Sequence, residues 1–168
     1  MSDEQELLAA LPRLRRYARA LVDDRAGADD LVQDTMERAW RKLSGWRKDS
    51  DIRPWLLSIM HNLHVDQRRK PAIPTVTMED DDLAAIPAAA LYTERLIGHD
   101  LESALQLLAV EQREILLLVV LEEMTYEEVA ATLNIPMGTV MSRLSRARER
   151  LRALVEGRPA PSTLKVVK

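Results

Sequence analysis

Apolar residues recur every three or four positions along most of the chain, which is the spacing of one face of an amphipathic α-helix. The first three stripes are Leu7, Leu11, Leu14, Ala18 and Leu21; Leu31, Val32, Met36, Ala39 and Leu43; and Ile52, Leu56, Ile59 and Leu63. They predict one helix that ends at a turn over residues 23–27, a second over about residues 29–43, and a third with Pro54 in its first turn. Together they predict a small helical domain.

The second half of the chain is also helical by this criterion. A helix is predicted over about residues 96–108. After it, residues 111–122 contain an uninterrupted apolar run from Ile115 to Leu121. Because this run has no polar face, it predicts a helix that other helices cover on every side.

A pair of helices is predicted to follow. Thr125 and Glu128 have the spacing of a capping box at the start of a short helix. Asn134 tolerates a left-handed backbone, and Pro136 suits the first turn of a new helix. That second, longer helix carries the apolar stripe Val140, Leu144, Ala147 and Leu151. A short helix, a turn and a longer helix are the pattern of a helix-turn-helix.

The second helix of this pair carries a concentration of positive charge. Residues 141–152 contain five arginines and one acid. Small polar residues between arginines suit the major groove of DNA, because arginine reaches phosphates and guanine edges while small side chains permit close approach. The candidate DNA contacts are Thr139, Met141, Ser142, Arg143, Ser145, Arg146 and Arg148. A solvated basic helix is the competing interpretation, and the capping box and turn favour the first.

The charge of the chain is segregated. The net charge is −3, but residues 100–136 carry 1 basic and 8 acidic side chains, whereas residues 137–168 carry 8 and 2. The field is therefore positive at the last helix although the whole chain is acidic. Since an acidic total weakens indiscriminate DNA binding, we expect the free protein to bind DNA duplex weakly.

Composition excludes several classes of site. The chain has 168 residues and no cysteine, which excludes disulfides and thiolate metal sites. His61 and His64 lie one helical turn apart, but no third ligand accompanies them, so we expect neither a metal nor a cofactor. No apolar run approaches the ~20 residues that span a bilayer, and the acidic start differs from a signal peptide. We therefore expect a cytoplasmic protein without membrane insertion.

A change of composition divides the chain. Residues 71–94 contain three prolines and the acidic run Glu79–Asp82, which are typical of a flexible linker. We predict an all-α protein with two small helical domains, residues 1–70 and 95–157, the second containing the helix-turn-helix. A flexible tail is predicted over residues 158–168.

Three segments resemble a known family. They are AGADDLVQDTMERAWRKL (residues 26–43), PWLLSIMHNLHVDQRR (residues 54–69) and QREILLLVVLEEMTYEEVAATLNIPMGTVMSRLSRARERL (residues 112–151). In this order they resemble, respectively, the polymerase-binding helix, the −10 helix and the −35 domain of sigma-70 family transcription initiation factors of the minimal, extracytoplasmic function (ECF) type. The resemblance implies a promoter-recognition subunit that directs core RNA polymerase to specific promoters and assists promoter melting. It implies no catalytic residues in the chain itself.

The resemblance also implies contacts. For the polymerase they are Asp30, Gln33, Asp34, Glu37 and Arg38; for the −10 element, Trp46, Arg47, Lys48, Asp49, Ser50, Ser58, His61, Asn62 and Arg69. The −10 group is expected to hold a base flipped out of the duplex. From the residues alone, however, a lone loop tryptophan such as Trp46 more often packs on its own domain. The implied partners are the clamp and flap regions of core RNA polymerase, double-stranded and melted promoter DNA, and an anti-sigma factor.

The sequence departs from the family pattern at three positions. Ala109 replaces a frequent proline, Asn134 a frequent glycine, and Met141 a frequent basic residue at a base-reading position. Two other functions are compatible with the pattern: a stand-alone helix-turn-helix regulator, and a mimic that titrates an anti-sigma protein without binding DNA. Co-purification with core polymerase distinguishes the first from a sigma factor, and the basic helix argues against the second.

Overall fold

The computed structural model describes residues 2–69 and 101–157. Within these ranges every regular element is helical, which confirms the predicted all-α class. The helices are α1 (Asp3–Ala9), α2 (Leu11–Leu21), α3 (Arg25–Arg41), α4 (Ile52–Arg69), α5 (Leu101–Gln106), α6 (Val110–Leu116), α7 (Tyr126–Leu133) and α8 (Met137–Val155), with a 3-10 turn at Leu43–Gly45 and a π-helical turn at Leu117–Leu121. The linker predicted over residues 71–94, the first part of the predicted helix 96–108 and the tail predicted over residues 158–168 lie outside the described residues.

The first predicted helix is in fact two helices, α1 and α2, which meet at Ala10. Pro12 lies in the first turn of α2. In one continuous helix, its ring would clash with the carbonyl of Leu8, and it has no N–H to donate to that carbonyl. The chain therefore ends one helix and starts another without leaving the common apolar stripe.

Helix α3 begins earlier than predicted. Residues 25–27, expected to form a turn, are its first residues, because the Asp24 side chain accepts a 3.0 Å hydrogen bond from the backbone N–H of Gly27 and caps the helix. Helix α3 packs against both α2 and α4. The core between them is formed by the predicted stripes, with Leu14, Leu21, Leu31, Ala39, Leu56 and Met60 among its buried members.

The chain divides into two compact units. One consists of Met1–Lys70 with Leu117–Met141, and the other of Pro71–Leu116 with Ser142–Lys168. Inside the first unit, α7 packs against α4. The first unit therefore contains segments from both of the predicted domains.

The predicted all-round burial of the apolar run is wrong at one side. Residues 115–118 are buried, but Val120 is 65 % exposed. After α6 the backbone widens into the π turn, in which Glu122 N–H donates to the Leu117 carbonyl at 3.0 Å, five residues earlier. A π turn holds one more residue than an α turn, so it changes which side chains face inward. Glu123 follows in the left-handed region with φ 54°.

Arg113 of α6 joins this helix to the end of α5 in the second unit. Its side chain is only 5 % exposed. It donates to the carbonyls of Leu105 at 2.8 Å, Gln106 at 3.0 Å and Leu108 at 3.0 Å. The last carbonyls of a helix have no partner within that helix. Arg113 therefore caps the carboxyl end of α5 from the following helix.

Candidate nucleic-acid interface

The helix-turn-helix has the predicted local structure. The Thr125 N–H donates to Glu128 Oε1 at 2.8 Å and the Glu128 N–H donates to Thr125 Oγ1 at 3.1 Å, which completes the capping box at the start of α7. Asn134 ends that helix in the left-handed region, with φ 57° and ψ 50°. The predicted pair of helices is therefore confirmed.

The recognition helix α8 has a polar face opposite its core stripe. Val140, Leu144 and Ala147 are buried and Leu151 is half-buried. Of the predicted DNA contacts, Met141, Ser142, Ser145, Arg146 and Arg148 are exposed, and Thr139 and Arg143 are half-buried. Among the residues that the structure describes, no acidic side chain forms an ion pair with Arg146 or Arg148, and both arginines are exposed.

The loop before α4 brings most of the predicted −10 residues to the surface. Arg47, Lys48, Asp49 and Ser50 are exposed; along α4, Ser58 and His61 are half-buried, and Asn62 and Arg69 are exposed. Ser58 Oγ donates to the Trp55 carbonyl at 2.8 Å. These groups can offer cationic, hydroxyl and imidazole contacts to a nucleic acid strand.

Trp46 differs from the other loop residues because its side chain is buried. Its ring stacks on Trp55 with the centroids 6.4 Å apart and the planes at 29°. Its indole N–H has no hydrogen-bond partner in the described part of the chain. Trp46 thus packs on its own domain, and Trp55, which is half-buried, is the accessible ring of the pair.

Arg53 lies at the start of α4, beside this loop. Its guanidinium donates to Asp51 Oδ2 from Nη2 at 2.7 Å and from Nε at 3.0 Å. These hydrogen bonds hold the pKa of the Asp51 carboxyl below its ordinary value, against the opposing effect of burial. The pair fixes the junction between the loop and α4.

The predicted polymerase-facing residues lie on the outer face of α3. Asp30, Gln33, Asp34 and Glu37 are exposed and Arg38 is half-buried. Asp34 Oδ2 accepts a hydrogen bond from Gln67 Nε2 at 3.3 Å. Sequence reasoning missed Trp40, which is 50 % exposed and lies one helical turn after Glu37. The sequence did contain a signal: Trp40 lies seven residues, or about two helical turns, after Gln33, which places both on the same face of α3.

Sequence reasoning also missed Glu122. This carboxylate is 2 % exposed and accepts a hydrogen bond from Arg13 Nε at 3.1 Å, while Arg53 Nη1 lies 3.9 Å from the same oxygen. Arg53 Nη1 also donates to the Glu122 carbonyl at 3.4 Å. Burial raises the pKa of the Glu122 carboxyl, although both arginines act in the opposite direction. Helical periodicity does not indicate its burial, because the π turn at Leu117–Leu121 separates Glu122 from the preceding α-helix.

Neither a metal site nor a membrane span is found in the described ranges. No group of three or more His, Cys, Asp or Glu residues there could hold a metal ion. No helix among the described residues is both long and apolar enough to cross a bilayer.

Comparisons with known proteins agree with this architecture. The family profile described as "Sigma2 domain of PhyR" matches residues 7–61, and that described as "Sigma-70, region 4" matches residues 99–151. The chain is 33 % identical over 150 residues to the ECF RNA polymerase sigma factor EcfG of Rhodopseudomonas palustris, covering 89 % of this chain and 83 % of that protein.

Solved structures show the same relationship. The sigma factor RpoE of Bartonella quintana, solved in complex with the anti-sigma factor NepR, matches with a TM-score of 0.69 and 29 % identity over 91 % of this chain and 96 % of that one. CnrH, solved with the cytosolic domain of CnrY, matches with a TM-score of 0.63 and 28 % identity over 95 % and 89 %. The chain therefore belongs to the extracytoplasmic function RNA polymerase sigma factors of the sigma-70 family.

Proposed function

We propose that this sigma factor reads the promoter −35 element with α8 and the melted −10 element with the loop over residues 46–51 and α4. The observation that carries the proposal is the exposed face of α8, where arginines alternate with small polar residues inside a complete helix-turn-helix. That face combines phosphate binding with close approach to base edges.

On α8 the arginines have different roles. Arg146 lies on the same flank as Ser142, where a guanidinium can form a bidentate contact with a guanine edge. Arg148 lies on the opposite flank and binds phosphate, which adds affinity without sequence information. Thr139, Met141, Arg143 and Ser145 complete the −35 surface.

For the −10 element, Arg47, Lys48 and Arg69 bind the strand backbone. Asp49, Ser50, Ser58, His61 and Asn62 supply hydrogen bonds to a flipped base, which offset the few kcal/mol that unstacking costs. Since Trp46 is buried beneath Trp55, its role is to support the accessible ring of Trp55 as a stacking surface.

The outer face of α3 binds the clamp of core RNA polymerase through Asp30, Gln33, Asp34, Glu37 and Arg38, with Trp40 as an apolar contact beside them. Residues 95–157 bind the flap region and residues 71–94 link the two functional domains, with 158–168 as a tail. An anti-sigma factor is a further partner, by analogy with the complex of RpoE with the anti-sigma factor NepR. The protein acts in the cytoplasm, where its polymerase is, and the polymerase supplies all the catalysis.

The test is run-off transcription with core polymerase from a panel of single-base −35 variants, at two salt concentrations. Arg146→Ala should flatten the preference among the variants, because a bidentate arginine–guanine contact contributes about 1–3 kcal/mol of discrimination. Arg148→Ala is the matched control, with the same change of charge on the same helix. It should lower every promoter by a similar factor and reduce the salt dependence. Equal losses at every promoter for both variants would show that Arg146 binds phosphate only.

A further inference from the structure

Met141 is a large apolar side chain within the proposed −35 surface of α8. It is 52 % exposed. Ser142 follows it directly and Ser145 lies one helical turn later; both are exposed, and both are too short to cover a methionine. The thioether has no charge and accepts hydrogen bonds only weakly, so Met141 can neither hold a phosphate nor read a pattern of hydrogen-bonding groups. In a DNA groove, the partner that suits Met141 is apolar.

The major groove contains a suitable apolar group, the C5-methyl group of thymine. The other features by which the base edges differ in that groove are hydrogen-bond donors and acceptors. Residues near the start of a recognition helix are the ones that contact base edges. Met141 is the fifth residue of α8 and therefore lies in this part of the helix. An unbranched methionine side chain can adapt its shape to a methyl group.

Gly138 lies on the same side of α8, one helical turn before Met141, and is exposed. Within a helix glycine is less favourable than alanine, so its presence needs a reason. Backbone conformation gives none, because Gly157 is the described glycine that has a positive φ. Packing gives none either, because a Cβ atom at Gly138 would meet no atom of the described residues within 4 Å outside its own turn of helix. Close approach of a ligand does give a reason.

We propose that Gly138 and Met141 together read a thymine in the −35 element. Gly138 lets the edge of a base pair come close to the helix, and the side chain of Met141 packs against the thymine methyl group. The inference rests on the proposed function of α8 and deepens it, because it assigns one feature of one base to a pair of residues.

The first experiment removes the methyl group from the DNA. Run-off transcription with core polymerase, from a promoter library with a randomised −35 segment, gives the preferred sequence. That promoter is then resynthesised with uracil in place of each −35 thymine in turn, on either strand. Uracil pairs as thymine does and lacks only the methyl group. At one position the replacement should lower transcription about fourfold, the value of one buried group of methyl size.

The same promoters are then transcribed with two variants of the protein. Met141→Ala should abolish the difference between thymine and uracil at that position, because the side chain and the methyl group act as one contact. Met137→Ala is the matched control. It removes the same side chain from a position that is 40 % exposed, one turn earlier and nearer the buried stripe of α8. The uracil effect should persist in this variant.

The second experiment tests Gly138 with two measurements on Gly138→Ala. Alanine is the better helix former, so the midpoint of thermal unfolding should rise. The ratio of transcription from the preferred promoter to transcription from one with a scrambled −35 element should nevertheless fall several-fold. A glycine needed inside the fold would instead lower the midpoint when replaced, and that result would overturn the role of Gly138, as would an unchanged ratio.

Three results would overturn the thymine contact. They are a preferred −35 sequence without thymine on either strand, equal transcription of all thymine and uracil promoters by the parent protein, and a uracil effect that Met141→Ala leaves unchanged. Failure of the proposed function differs from all three. In that case the randomised library would show no −35 preference, and both proposals would be wrong.

Discussion

The carboxyl-terminal cap on α5 gives a prediction that the structure can quantify. Arg113 is buried and donates to three carbonyls between 2.8 and 3.0 Å away. Arg113→Met keeps an apolar stem of similar length and removes all three bonds. Hydrogen bonds to a charged group contribute about 1.5–3 kcal/mol each, but three bonds from one side chain are not additive.

We therefore expect Arg113→Met to lower the free energy of unfolding by about 3–5 kcal/mol, as when one partner of a buried charged contact is removed. Since folded domains are stable by only about 5–15 kcal/mol, this loss removes much of the stability of the affected unit. Arg113→Lys should lower the free energy of unfolding by less than Arg113→Met, because the ammonium group keeps the positive charge. Some stability should still be lost, because the ammonium group cannot span all three carbonyls.

The measurement is denaturant unfolding followed by far-ultraviolet circular dichroism, together with hydrogen exchange of peptides from residues 101–116. The exchange data locate the loss, which matters because a chain of two units need not unfold in one step. Gln112→Met makes the same kind of change at the preceding position and is the control. A loss below about 1 kcal/mol for Arg113→Met, the value of one ordinary neutral bond, would refute the cap.

The remaining predictions concern the turn before the helix-turn-helix and the face of α3. Glu123→Gly should raise the free energy of unfolding by up to about 1 kcal/mol, because the left-handed backbone is strained for a residue other than glycine. An unchanged denaturation midpoint would contradict this prediction. Thr125→Ala should lower the free energy of unfolding by about 1 kcal/mol, because the helix cap is lost. Thr125→Ser keeps a hydroxyl group and should retain most of that stability. The raised pKa of Glu122 means that this group's stabilising contribution is full below its unfolded pKa and is lost as the pH rises through its folded pKa. Glu122→Gln should therefore gain stability relative to the parent as the pH rises from acidic to neutral, and a pH-independent difference contradicts the shift. Asp34→Lys and Glu37→Lys should weaken co-elution with core polymerase without loss of helical content; undiminished co-elution means that the face is merely solvated.

Local signals were sufficient for the helix-turn-helix. The capping box, the left-handed Asn134 and the stripe on α8 act over a few residues, so sequence alone predicted them. Pro12 was equally local, but the continuous apolar stripe from Leu7 to Leu21 concealed the break that it causes. The spacing of apolar residues therefore indicated which face is buried, but it did not indicate whether the helix is continuous.

The π turn and the Glu122 contacts could not be predicted in this way. A π turn depends on how the surrounding side chains pack, and the apolar run from 115 to 121 is compatible with either helix type. Arg13 and Glu122 are 109 positions apart, and no periodic pattern relates positions so distant. The outward position of the candidate residues on α4 and α8 could be predicted because the faces of these helices follow directly from their core stripes. Trp46 lies in a loop, where no stripe indicates direction.

The positions of the tryptophans have an optical consequence. The chain has three, Trp40, Trp46 and Trp55, and all lie within the segment that matches the sigma2 profile. Trp40 is 50 % exposed on α3 and Trp46 is buried, so Trp40 should emit at longer wavelength than Trp46. The two can be followed separately by selective replacement with phenylalanine. On the proposed function, intrinsic fluorescence of the unlabelled protein should report docking at the outer face of α3 through Trp40, and events at the proposed −10 loop through Trp46 and Trp55. Helix α8 contains no tryptophan and should give no such signal.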